Sequence, residues 1–158
     1  MADWKRICCP VDFSLPSRVA MEEAARLARL HAAELVLLHV DDRPPPPPAG
    51  DTLASAEALE RGALEVERQL GEWAREASAI ARRAVEQAVR RGEAAVEIVR
   101  FAAGEGFDAV VTGTHGRAEL EHLAFGSVAE AVVRGAPCTV VVVRARAPRT
   151  GAGEGRTS

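Results

Sequence analysis

The stretch Gly113-Thr114-His115-Gly116, followed by nine residues and then Gly126-Ser127, is where this chain's residue types and spacing could do chemistry. Gly113 and Gly116 can take positive φ and leave room for an anion beside the backbone. Successive amides in such a turn form a nest that favours negative charge. Gly126-Ser127 reads as a helix start, where the first amides lack partners and the positive helix end points outward. The Ser127 hydroxyl can donate to a phosphate oxygen, and Arg117 can form charge-assisted bonds to an outer phosphate. The chemistry implied is phosphate binding. Catalysis is less well supported. His115 could touch phosphate or act in hydrolysis, and Asp12 is the carboxylate placed to organise a phosphate-bound Mg²⁺. There is no Walker motif with its lysine and no Gly-x-Ser-x-Gly elbow. His31, His39 and His122 show no metal-ligand spacing with Cys or carboxylates, so neither a catalytic set nor a metal site is assigned.

A phosphate loop must be held by rigid elements, and the sequence supplies them in alternation. Trp4 to Val11 is a short apolar strand, and Ser14-Leu15-Pro16-Ser17 provides capping hydroxyls and a first-turn proline. Ala20, Ala24, Leu27 and His31 then recur at helical spacing, which predicts a helix from Pro16 to about Ala32. Glu34 to Val40 is almost wholly apolar, as strands covered on both faces are. Thr52 to about Ala79 is helical, with Leu59, Leu64, Leu70 and Trp73 among its apolar anchors. Ile80 to Arg91 is ambiguous: propensity favours helix, while Val85, Gln87 and Val89 alternate as a strand would. Ala95, Ile98, Val99 and Ala102 mark another helix, ending near Gly104 to Gly106. Phe107 to Thr112 is a strand running into the glycine loop, and Ser127 to Arg134 is a helix with Val128, Ala131 and Val132 on one side. Cys138 to Val143 is the last strand. Strands alternating with helices predict a three-layer α/β domain on a parallel sheet. In such sheets ligands sit beyond the carboxyl ends of the strands, where Asp12, Val40 and the glycine loop all fall.

Length and composition bound the rest. At 158 residues, 47% hydrophobic and 27% charged, the chain suits one soluble domain with a substantial core. Residues 1–144 are assigned to that domain, with a proline-rich loop over 43–51 that reads as a semi-rigid polyproline II spacer. Residues 145–158 lack large apolar groups and read as a disordered tail. A net charge of −3 and 4% aromatic residues give no footprint for nucleic acid, duplex or single-stranded. No apolar run reaches a membrane span of roughly 18 residues, and Met1 to Pro10 is too short and polar for a signal peptide, so a cytoplasmic address is expected. Cys8, Cys9 and Cys138 show neither a zinc spacing nor a disulfide framework; they read as small buried hydrophobes, with redox sensing the alternative.

The loop, behind Asp108-Ala109-Val110-Val111, resembles that of the universal stress protein family, and of its nucleotide-binding branch in particular. Ile7 to Ser14 (ICCPVDFS), the strand ending Leu38-His39-Val40, and Ala136 to Val143 (APCTVVVV) resemble the family as well, so the likeness runs from about Lys5 to Arg144. It implies a five-stranded parallel sheet in order 3-2-1-4-5, with a strand over about Arg83 to Arg90, where propensity favours helix. Pro10, Val11, Asp12 and Val40 match the segments that hold adenine and ribose, with the Val40 backbone at the adenine edge and Asp12 facing ribose or a phosphate-bound metal. Gly113, Thr114, His115, Gly116 and Arg117, with Gly126, Ser127 and Val128, match the phosphate cradle. The implied ligand is ATP or another adenine nucleotide, ADP, AMP or cyclic AMP, with Mg²⁺ entering through the phosphates. The implied assembly is a homodimer through residues 138–143, and no protein partner is identified. Three functions stay open on this reading: a nucleotide-dependent stress-response regulator, a slow ATPase or nucleotide hydrolase, and a non-binding dimeric scaffold.

Overall fold

The computed structural model describes residues 3–44, 52–115 and 125–145. Five strands form one parallel sheet: β1 (Arg6–Pro10), β2 (Glu34–Asp41), β3 (Glu86–Arg91), β4 (Ala109–Gly113) and β5 (Thr139–Val143). Their order is β3-β2-β1-β4-β5, as expected. The chain alternates strand and helix throughout, through α1 (Leu15–His31), α2 (Thr52–Ala81), α3 (Ala94–Gly104) and α4 (Ser127–Gly135). The period-two alternation of strand side chains divides the core into two layers. Ile7, Cys9, Leu35, Leu37 and Val111 face α1 and α2. Cys8, Val36, Leu38 and Val110 face α3 and α4. Each fully buried Leu or Ile contributes about 1.5–3 kcal/mol relative to exposure. With so few aromatics, the sheet is closed on one side by a row of alanines: Ala20, Ala24, Ala25 and Ala28 of α1 are wholly buried and let the helix lie close.

The signals at the ends of α1 act as the sequence implies. Ser14 is the N-cap, its hydroxyl accepting from the Ser17 amide at 3.3 Å, and Pro16 lies in the first turn. Ala32 ends the helix in the left-handed conformation, its amide donating to the carbonyls of Ala28 and Arg29.

Departures from expectation occur where burial is thin. Leu70, Trp73, Ala74, Ala77 and Ala81 of α2 are buried, but Leu64 is 64% exposed and Leu59 36%, so neither is an anchor. The reason is length. Thirty residues of helix span about 45 Å, while a five-residue strand spans about 17 Å, so the first half of α2 overhangs the sheet. In α4, Ala129 and Val132 are buried while Ala131 is exposed, which turns the apolar face from the one expected. The ambiguous stretch after Ile80 divides: helix runs to Ala81, Arg82 turns the chain at φ 56°, and β3 pairs with β2 from Val36↔Glu86 to Asp41↔Arg91.

Candidate functional site

At the carboxyl ends of β1, β2 and β4 lies a cleft of about 360 Å³, large enough for a small ligand. Its floor is tied together by backbone. The Val11 amide donates to the Leu38 carbonyl at 2.8 Å, and His39 Nδ1–H donates to the Val11 carbonyl at 2.9 Å, fixing that imidazole. Asp12 Oδ1 accepts from the Ser14 amide at 3.0 Å and from the Ser14 hydroxyl, so the carboxylate braces the start of α1. The Asp12 amide donates to Ser17 Oγ at 3.3 Å, and Ser17 is buried. Between Asp12 and the N-cap, Phe13 sits at φ 63°. For a bulky residue that conformation costs about 1–2 kcal/mol. Its ring stacks on His39, with centroids 4.9 Å apart, and meets Trp73 of α2 edge-on at 5.4 Å.

Gly113 closes β4 directly against α1. A Cβ there would stand 2.8 Å from the Pro16 carbonyl oxygen and 2.9 Å from its carbon, both backbone atoms. The glycine is therefore required by close approach, and the positive φ expected of it is not adopted; among the described glycines only Gly92 and Gly106 have one. Thr114 is buried, and its carbonyl accepts from the Gly126 amide at 2.6 Å, drawing together the two ends of the glycine loop. Gly126 caps α4 in an extended conformation with no side-chain capping bond, and the positive end of the helix faces the cleft lined by Ser127 and Val128. His115 Nδ1 lies 3.1 Å from Thr114 Oγ1. Its Nε2 is buried, with no hydrogen-bond partner among the described residues.

Eight of the expected site residues line this one cleft: Pro10, Val11, Asp12, Val40, Gly113, His115, Ser127 and Val128. Thr114 and Gly126 join the two ends of the loop beside it. Gly116, Arg117 and His122 lie outside the described residues, as do residues 45–51 of the proline-rich loop and 146–158 of the tail. Sequence reasoning missed Ser17, His39, Asp42, Ala94, Ile98 and Thr112, which also line the cleft. The sequence marked His39 only as lacking metal-ligand spacing, and Ala94 and Ile98 come from α3, which nothing in the sequence brings toward the phosphate loop. Asp42 follows Asp41, the last residue of β2, whose carboxyl the Arg43 guanidinium holds down to about 2. Among the described residues no group of three or more His, Cys, Asp or Glu could hold a metal ion. No helix among them is long and apolar enough to cross a membrane.

Comparison with known proteins agrees with this architecture. Residues 3–144 match the model of the universal stress protein family. Universal stress protein MJ0531 of Methanocaldococcus jannaschii is 32% identical over 144 residues, 89% of this chain and 82% of that protein. The solved structure of universal stress protein UspA from Lactobacillus plantarum superposes with a TM-score of 0.78 at 26% identity, covering 91% of this chain and all of that one. A universal stress protein solved in complex with cAMP has the same fold, at a TM-score of 0.70, 20% identity, and coverage of 90% and 98%. The chain belongs to the universal stress protein family.

Proposed function

We propose, from the premise of that family membership, that this chain binds an adenine nucleotide in the cleft and acts as a dimeric regulator in the stress response. The observation that carries the reading is the buried Nε2 of His115, unpartnered among the described residues, in the same cleft as the N-terminal end of α4. A buried polar atom left without a partner costs about 1–3 kcal/mol, which a phosphate oxygen offsets. The positive end of a helix dipole favours the same anion. The nucleoside lies against Pro10, Val11, Asp12 and Val40. The phosphates lie against Gly113, Thr114 and His115, with Gly116 and Arg117 of the same loop, and against Gly126, Ser127 and Val128. Adenine is supported by the family member solved with cAMP. Mg²⁺ would enter with the phosphates, and Asp12 and Asp42 are the carboxylates that line the cleft. The glycine loop supports binding better than catalysis, and the output on this reading is a state of the protein. Dimerisation is through β5.

Melting curves and calorimetry with ATP, ADP, AMP and cyclic AMP, with and without Mg²⁺, test this. Ligand at a hundred times its Kd should stabilise the fold by about 2.7 kcal/mol, and ATP should be recovered unchanged. Phosphate release that disappears in Asp12→Ala or His115→Ala would make the protein a slow hydrolase. An unmoved melting temperature at millimolar nucleotide would leave a scaffold.

A further inference from the structure

Three non-glycine residues among those described adopt positive φ, Phe13, Ala32 and Arg82, and of these Phe13 stands between the cleft and a helix that does not touch the cleft. Phe13 follows Asp12, which lines the cleft, and adopts φ 63°. One face of its ring stacks on His39, another wall residue of the cleft, at 4.9 Å and 28° between planes. Its other neighbour is Trp73, met edge-on at 5.4 Å and 89°. Trp73 lies under the Arg18 guanidinium at 5.4 Å, and Arg18 pairs with Glu76, so the contact continues across the seam between α1 and α2. No described residue of α2 lines the cleft.

A left-handed Phe persists only where its surroundings over-determine it, and such strain clusters at clamps and switches. The bland reading is a turn from strand to helix. Glycine or asparagine would make that turn at less cost, while neither would supply a ring to span His39 and Trp73.

We infer that Phe13 is a positioning residue that couples occupancy of the cleft to α2. The inference rests on the nucleotide-binding reading above and names the regulation of that site. A ligand that contacts Asp12 and His39 in these braced positions favours the stacked, left-handed Phe13 over a released conformer. A ligand shifts an equilibrium by its differential affinity for the two states. Trp73 reports which conformer is present, and the overhanging half of α2, residues 53–69, moves with it. By linkage, a partner that grips α2 in the stacked state tightens nucleotide binding by the same factor.

The chain has two tryptophans, Trp4 and Trp73, so Trp4→Phe isolates the reporter. ATP and AMP are titrated into that protein while calorimetry records binding and fluorescence records Trp73. The expected result is a shift in Trp73 emission that saturates with the binding heat, is lost in Phe13→Leu and is restored in Phe13→Tyr. Binding heat with a silent Trp73, or a shift that survives Phe13→Leu, overturns the coupling alone. Absence of heat with either nucleotide removes the nucleotide-binding reading and the coupling with it. Should Phe13→Leu not fold, hydrogen exchange over residues 53–69 of the unsubstituted protein decides: protection that rises with nucleotide supports the coupling, and unchanged exchange overturns it.

Discussion

Gly113 and Phe13 both answer to backbone demands, of opposite kinds. Gly113 has no Cβ because α1 occupies the space where one would be, with the Pro16 carbonyl oxygen 2.8 Å from that position. Backbone cannot step aside as the end of a flexible side chain can. Gly113→Ala should therefore destabilise the protein by about 1–3 kcal/mol, the ordinary cost of overpacking. Urea denaturation measures it, and an unchanged midpoint would show that β4 and α1 part without strain. The damage falls on the cleft as well, because the same displacement moves Thr114, whose carbonyl holds the Gly126 amide at 2.6 Å. The glycine at this position was thus legible before its reason was. Sequence suggested left-handed freedom at Gly113, and the fold instead uses the absence of a side chain.

Among the elements, what could be read in advance follows how much of each is buried. β2 announced itself because Leu35, Val36, Leu37 and Leu38 are covered on both faces. β3 did not, because it is an edge strand on which Ala88 alone is half-buried and Val89 is 44% exposed. With so little of it buried, the alternation of Val85, Gln87 and Val89 is a weak signal against a local propensity for helix. The β2 ladder decides the matter in three dimensions. The length of α2 was legible, but its division was not, since Leu59 and Leu64 have the same residue type as the buried Leu70. Gly71 offers a direct measure of how much α2 relies on packing. A Cβ there meets nothing within 4 Å, so Gly71→Ala should gain the helical preference of about 0.5–1 kcal/mol and raise the melting temperature. Gly62→Ala should gain less, because its Cβ would displace the Arg43 guanidinium from 2.5 Å away. If Gly71→Ala melts no higher than the parent protein, that helix is not regular at this point.

For the molecule as a whole, the two edges of the sheet differ in a way that bears on assembly. An open edge invites pairing with another chain, and proteins blunt it with short strands and charge. The β3 edge is blunted by exposed Glu86, Arg90 and Arg91. The β5 edge carries Val140, Val141, Val142 and Val143, all only half-buried in the single chain. Five residues of strand cannot supply the roughly 800 Å² per partner of a stable interface, so its neighbour α4, where Val133 is 49% exposed, must join the contact. A two-fold axis beside β5 would bury both. Val141 and Val143 also pack on the α1–α2 core and Val140 on the other, so a charge at any of these confounds assembly with folding. Val142 packs on neither core among the described residues, which makes Val142→Glu the discriminating change. Light scattering should give the unsubstituted protein near twice its chain mass of 16.8 kDa and Val142→Glu near that mass itself, with the melting temperature little lowered. An unsubstituted protein already at the single-chain mass would remove the dimer. A Val142→Glu protein that stays paired would move the contact away from β5, and the unblunted edge would then need some other cover.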